Sequence, residues 1–273
     1  MTTRLIHTGN AIVDLVVEIP ALPPRGGDVL ARSSSRHAGG GINVMAAAAR
    51  QGLPVVYAGV LGTGPNADLV RAALDADRIE VATAPRTDCD TGLVIALVDD
   101  EGERTFTTIR GAEARLSLDT LRQVDVTDDD WVYVTGYSLA HEANRTALLA
   151  WLPTLPPGTR VVFDPGPLAK SLPAAALTVV LARTDWCSAN LAEARALTGR
   201  NDPADAAEQL NRLDARSGAV VRCGADGCLL ALGGSPIRVP AVPVKALDLN
   251  GAGDAHVGVF VAALAHVDRK SVV

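Results

Sequence analysis

Apolar residues fall in short runs separated by glycine, proline and polar clusters along most of the chain. Residues 5–19 are rich in β-branched side chains and read as strand, with a break at Gly9-Asn10. A Pro/Gly-rich connection at 20–27 leads to a polar, half-exposed strand at 28–36. Residues 43–51 are alanine-rich and helical, and Gly52 closes the run. Residues 91–98 and 103–110 flank Asp99-Asp100-Glu101-Gly102, an acid-glycine turn between two strand-like runs and so a hairpin. After Ser117, strands at 131–135, 160–163 and 186–188 alternate with helices at 141–152 and 174–181. That rhythm predicts an α/β fold with a mainly parallel sheet, whose ligands collect at the carboxyl ends of the strands. Asp164 and Asn190 each follow a strand directly and so are placed at one crevice. Towards the end, a β-rich approach at 240–247 leads to a glycine turn and an apolar helix at 255–267.

Composition narrows the function classes. Hydrophobic residues make up 48% of the 273 and aromatics only 3%, so aliphatic side chains and alanine fill the core. The length suits one domain spanning 1–273. A formal net charge of −6, with no block of Lys and Arg, argues against nucleic acid as a partner. Cys89, Cys187, Cys223 and Cys228 lack metal-ligand spacing and read as reduced thiols. The first residues contain no uninterrupted apolar stretch, and no run has the length of a membrane span, which predicts a cytoplasmic protein with no membrane partner.

Four local patterns carry candidate chemistry. In Gly251-Ala252-Gly253-Asp254 the glycines allow a sharp bend, and free N–H groups at the following helix start favour an anion such as phosphate. Asp254 there reads either as a helix N-cap or as a base for an attacking hydroxyl. Gly39-Gly40-Gly41 would bring backbone close to a ligand, with Asn43 at the helix start as donor and acceptor. Asn190 and Glu193 share a helical face at a strand-to-helix junction, and from the residues alone a capping box is the stronger reading. Arg222-Cys223-Gly224-Ala225-Asp226-Gly227 follows a strand at 219–221 and reads as a hairpin turn. Asp14, inside an apolar run, is either on a solvent face or reaching for a ligand hydroxyl. A competing dinucleotide fingerprint, Gly62-Thr63-Gly64-Pro65-Asn66-Ala67, is weakened because Pro65 lacks an N–H and the preceding strand is not the first.

Two of these patterns together resemble the signatures of the ribokinase-like (PfkB) carbohydrate kinases. Gly39-Gly40-Gly41-Ile42-Asn43, the alanines to Arg50, Gly52 and Gly62 are similar to the N-terminal signature; Gly251-Ala252-Gly253-Asp254 is similar to the C-terminal one. Met45, Leu249 and His256 depart from the pattern without removing a chemical group. The resemblance implies a ribokinase-like fold, helices on both faces of the sheet, and a small β-sheet lid from segments 11–36 and 91–110 that also pairs two subunits. It implies an ATP-dependent sugar kinase using Mg²⁺, with Asp254 as general base and the N–H groups of Gly251, Ala252 and Gly253 as anion hole. Asp14, Gly40, Gly41 and Asn43 would then bind the sugar, and Asn190, Glu193, Arg222, Gly224 and Gly227 the nucleotide. Asn190 and Glu193 would hold Mg²⁺ through water, and Asp248 is a candidate for a monovalent cation, K⁺. A nucleoside kinase of the same family and a non-catalytic sugar sensor are the alternatives. Family members continue beyond the last helix by about 30–40 residues, two helices of average length with their loops. The expectation is therefore an exposed apolar face at Val257, Phe260, Val261 and Leu264, and weakened ATP binding.

Overall fold

The computed structural model describes residues 3–213, 217–245 and 250–270. Thirteen strands and nine α-helices are assigned among them. The strands are β1 Leu5–His7, β2 Ala11–Glu18, β3 Ser33–Gly40, β4 Val55–Tyr57, β5 Glu80–Val81, β6 Leu93–Val98, β7 Arg104–Ile109, β8 Trp131–Thr135, β9 Arg160–Asp164, β10 Trp186–Asn190, β11 Gly218–Arg222, β12 Cys228–Ala231 and β13 Ile237–Val239. The helices are α1 Ile42–Arg50, α2 Pro65–Ala76, α3 Leu118–Leu121, α4 Gly136–Ala140, α5 Glu142–Trp151, α6 Ala174–Arg183, α7 Leu191–Thr198, α8 Pro203–Arg212 and α9 Ala252–Lys270.

Nine strands form one sheet in the order β13-β12-β11-β10-β9-β8-β1-β4-β5. Its pairs from β11 to β5 are parallel, and β12 and β13 add an antiparallel edge. The inner strands are apolar on both faces, as a sheet covered on both sides requires. Alternate residues feed two cores. Trp131, Tyr133, Leu5 and Tyr57 pack with α1, α2 and α9. Val132, Val134, Ile6 and Phe163 pack with α5, α6 and α8 on the other side.

Four strands form a second sheet, β3-β2-β6-β7. The run at 5–19 breaks where its Gly9-Asn10 suggested, but the break also moves the chain from the large sheet to the small one. The strand expected at 28–36 lies instead at Ser33–Gly40. It is the run from Ser33 that pairs with β2, up to Ala11 opposite Gly40, and so the polar segment before it gains no ladder. The β-rich approach at 240–247 is also displaced: β13 ends at Val239, and 240–245 are not strand. Pro240 and Pro243 cannot donate to a ladder, which explains the stop. Residues 246 and 247 lie outside the described residues.

The exposed apolar face expected on the last helix is not there. Val257 and Val261 are fully buried, and Phe260 sits edge-on to Trp186 with ring centroids 5.1 Å apart. This face packs on α1. At Gly258 a Cβ would lie 2.3 Å from the Val44 carbonyl oxygen, so the absent side chain is what lets the two helices close. The side-by-side packing brings the first turn of α1 against the first turn of α9.

Candidate active site

Residues 39–41 end β3 and lead into α1. Their lack of side chains is dictated by neighbours. A Cβ on Gly39 would meet Asp14 Oδ2 at 2.1 Å, one on Gly40 the Asn10 carbonyl oxygen at 2.6 Å, and one on Gly41 the His7 ring at 2.1 Å. Gly40 also has φ +61°, a conformation that favours glycine. Asp14, Gly40 and Gly41, picked out separately from the sequence, are thus in one place. Burial raises the Asp14 carboxyl above its ordinary range, and His37, paired opposite it, pulls it back.

Asn43 was expected to face a sugar. In the structure its Nδ2 donates to Asp254 Oδ2 at 3.3 Å and lies 2.7 Å from where a Cβ on Gly251 would stand. The two glycine signatures, more than two hundred residues apart, therefore meet through one amide and one carboxylate. Gly251 takes φ +71°, and its carbonyl accepts the first helical bond, from Ala255 N–H at 2.8 Å. Asp254 sits in the first turn of α9. Burial raises its carboxyl, Asp164 and Asp14 add to the rise, and Asn43 and Arg222 oppose it. A carboxylate raised in this way is a better proton acceptor near neutral pH.

The second half of the site comes from the carboxyl ends of three adjacent parallel strands. Arg222 ends β11, Asp164 ends β9, and Ser188 lies near the end of β10. Arg222 Nη1 donates to Asp164 Oδ2 at 3.1 Å and to Ser188 Oγ at 2.5 Å. Its Nη2 lies 3.5 Å from Glu193 Oε2. Gly253 faces the same guanidinium, a Cβ there standing 3.7 Å from Nε. Arg222 thus spans from the acid cluster to the glycine turn. Burial raises both Asp164 and Glu193, and Arg222 pulls both down.

Asn190 and Glu193 make the full capping box: Glu193 N–H donates to Asn190 Oδ1 at 2.9 Å and Asn190 N–H to Glu193 Oε2 at 2.7 Å. The cap and the placement in the acid cluster coexist, because the box orients Glu193 towards Arg222. Gly224 and Gly227, at φ +60° and +85°, shape the turn between β11 and β12, closed by Cys223 N–H donating to the Gly227 carbonyl at 2.7 Å. Asp248 lies outside the described residues. The dinucleotide-like glycines at 62–64 serve another purpose: the N–H groups of Asn66 and Ala67 at the start of α2 donate to the Asp90 carboxylate at 3.1 and 2.9 Å. That helix start already holds an anion from its own chain.

Asp164, which its place directly after a strand puts at the crevice, ends β9 and takes part in the Arg222 cluster. Another residue near the crevice has no such signal in the sequence. Tyr137, half exposed on α4, has its hydroxyl raised first by burial and then by Asp254, Glu193, Asp164 and Asp14. Its ring stands beside the turn after β9, where a Cβ on Gly166 would lie 3.5 Å from Cε2.

A sequence model described as pfkB family carbohydrate kinase matches residues 3–272. The chain belongs to that family. An uncharacterized sugar kinase, YegV, of Escherichia coli K12 is 29% identical over 97% of this chain and 84% of its own length. A fructokinase of Klebsiella pneumoniae is also 29% identical, over 97% of this chain and 85% of its own. Among solved structures, the adenosine kinase of Sinorhizobium meliloti superposes with a TM-score of 0.81 at 21% identity, covering 96% of this chain and 88% of that one. The ribokinase of Thermotoga maritima gives 0.79 at 22% identity, covering 96% and 86%. The fold expected from the sequence, a ribokinase-like α/β sheet flanked by helices with a smaller sheet, is the fold of this carbohydrate kinase. Among its described residues no helix is long and apolar enough to cross a membrane.

Proposed function

We propose that this carbohydrate kinase transfers the γ-phosphate of ATP to a hydroxyl of an unphosphorylated or phosphorylated sugar in the crevice between Asp254 and Arg222. The observation that carries the reading is the Asn43–Asp254 contact, which sets a raised carboxylate beside a glycine turn at a helix start. Asp254 takes the proton of the attacking hydroxyl. The hydroxyl oxygen bonds to the γ-phosphorus, the bond to the β–γ bridging oxygen breaks, and ADP leaves. N–H groups of Gly251, Ala252 and Gly253 face the developing charge at the positive end of α9. Asp14 and the backbone at 39–41 hold the sugar, while Arg222 and the strand ends at Asp164 and Asn190 face the nucleotide phosphates. Fructokinases and ribokinases among the relatives support a sugar acceptor. A low aromatic content leaves few platforms for a nucleobase acceptor. An ADP-release screen across pentoses, hexoses, their monophosphates and nucleosides tests the reading; no acceleration by any of them would overturn it.

Among the described residues no group of three or more His, Cys, Asp or Glu side chains could hold a metal. Mg²⁺ suits that finding, because it keeps several waters and needs only one or two carboxylates beside substrate phosphates. The oxygen ligands at hand are Glu193, Asp164 and Asn190, and when bound the ion would neutralise phosphate charge. Glu193→Gln is expected to raise the Mg²⁺ needed for half-maximal rate. A Mg²⁺ titration beside a melting curve separates this from capping alone, which predicts only a stability loss of about 1 kcal/mol.

The small sheet acts as a lid over the sugar in this reading, and it also pairs two subunits. Its edge strand β7 is exposed throughout, with Phe106 and Ile109 on the surface. A bare apolar edge invites association, which a closed dimer satisfies. Sedimentation velocity should give twice the chain mass, and Phe106→Lys should shift it to one; a wild-type monomer at all concentrations rejects the pairing.

A further inference from the structure

Glu113 is an acid buried at 3% exposure, far in sequence from every residue assigned above. Its two carboxylate oxygens are both committed. Oε2 accepts from Gly92 N–H at 2.8 Å and Oε1 from Gly111 N–H at 2.9 Å. Gly92 is the residue before β6, and Gly111 comes two residues after β7. One side chain therefore clasps both feet of the hairpin where it leaves the body of the molecule.

The joint is tight. A Cβ on Gly92 would meet Glu113 Oε1 at 2.3 Å, and one on Gly111 would meet the Gly92 nitrogen at 2.4 Å. The body holds its side firmly. Asn144, itself buried, donates from Nδ2 to the Glu113 carbonyl at 2.7 Å and accepts from Leu116 N–H at 2.9 Å. Ala112 N–H donates to the Asp90 carbonyl at 3.0 Å.

From this joint a short path leads to the sugar side. Gly92, held through its N–H by Glu113, accepts through its carbonyl from Val13 N–H at 3.1 Å. Val13 precedes Asp14, and Asp14 pairs with Val94 in the parallel β2–β6 ladder. The position of Gly92 thus fixes where β6 starts and where β2 presents Asp14. We propose that Glu113 is a positioning residue: it pins the small sheet to the body and, through Gly92 and Val13, sets Asp14 over the 39–41 turn. The proposal rests on the sugar-kinase reading for its consequence, since Asp14 is a sugar ligand only in that reading.

Glu113→Gln keeps the size but offers an NH₂ to one of the two N–H groups. The sugar KM should rise by about 10-fold or more, because small displacements of a positioned group are costly. The ATP KM should stay within about 2-fold, since the nucleotide side is built on other strands. Amide exchange, measured without substrate, should quicken in segments 11–18 and 92–98 and remain unchanged in the large sheet. Unchanged sugar KM with only a lower melting temperature, or equal changes in both KM values, would overturn the proposal. If the variant does not fold, Glu113→Asp, too short to reach both N–H groups, takes its place; failure of both to fold means a purely structural role and also overturns it. If the wild type phosphorylates no sugar, the kinase reading fails separately, and the exchange comparison still decides whether Glu113 pins the sheet.

Discussion

Asp254→Asn is expected to lower kcat by about 10²–10⁴-fold, the usual worth of a general base, with sugar and ATP binding kept. Asn is the same size and can still meet Asn43, so the first turn of α9 should hold its place. The pH dependence follows from the direction of the shift. Burial raises the Asp254 carboxyl, so the wild-type rate falls on the acid side at a higher pH than an ordinary aspartate would give. A carboxyl raised in the folded state favours folding below its unfolded pKa, and that contribution is lost as pH rises through the folded one. At neutral pH the ionised Asp254 therefore adds no stability, and removing a charge near Asp164 relieves repulsion. The variant should melt at the same temperature as the wild type or higher while being nearly inactive. A stable variant with near-full turnover would remove Asp254 from the mechanism.

Arg222→Met should do the opposite to stability. The guanidinium is the shared partner of Asp164, Ser188 and Glu193, and the side chains of Arg222, Asp164 and Glu193 are each at least 87% buried. Removing one member of a buried ionic cluster leaves the others unpaired and costs about 3–5 kcal/mol, against a typical total of about 5–15. The loss should be larger at pH 7 than at pH 5. Without Arg222 the Asp164 and Glu193 carboxyls rise further; raised carboxyls stabilise below their unfolded pKa values and cease to do so as pH rises through the folded ones. Activity should fall as well, because Arg222 also faces the glycine turn at Gly253. Arg222→Lys should recover only part of either property, since an ammonium cannot span three partners in a fixed fork. Denaturant melts at the two pH values check this; equal losses at both would show that the cluster carries no charge burden.

What the sequence showed and what it hid divide along physical lines. The glycines at 39–41, and those at 251 and 253, were legible because each set stands where a short turn runs into a helix, with positive φ at Gly40 and Gly251. The break at Gly9-Asn10 was legible as a break, but no local pattern says that β1 and β2 belong to different sheets. The start of β3 was misplaced because its first residues are exposed and polar, so alternation gives no register until the ladder with β2 exists. The Arg222 cluster needed the order β9-β10-β11 before an acid, a hydroxyl and a cation from separate stretches could be placed together. The contact between Asn43 and Asp254 was not legible because the two residues are 211 apart, beyond any window of local spacing. The apolar face of α9 is predicted bare for the same reason: its cover is α1, distant in sequence, and the backbone approach at Gly258 shows how closely the two pack.

The measurement that bears most directly on the central claim follows the phosphate itself. ATP labelled in its γ-phosphate is incubated with the wild type, with Asp254→Asn, and with the sugar that gives the fastest ADP release, and the products are identified. The account predicts label on a sugar hydroxyl in one-to-one ratio with ADP for the wild type, and almost none for the variant at saturating substrates. Label transferred equally by both proteins, or found only as free phosphate, would contradict it.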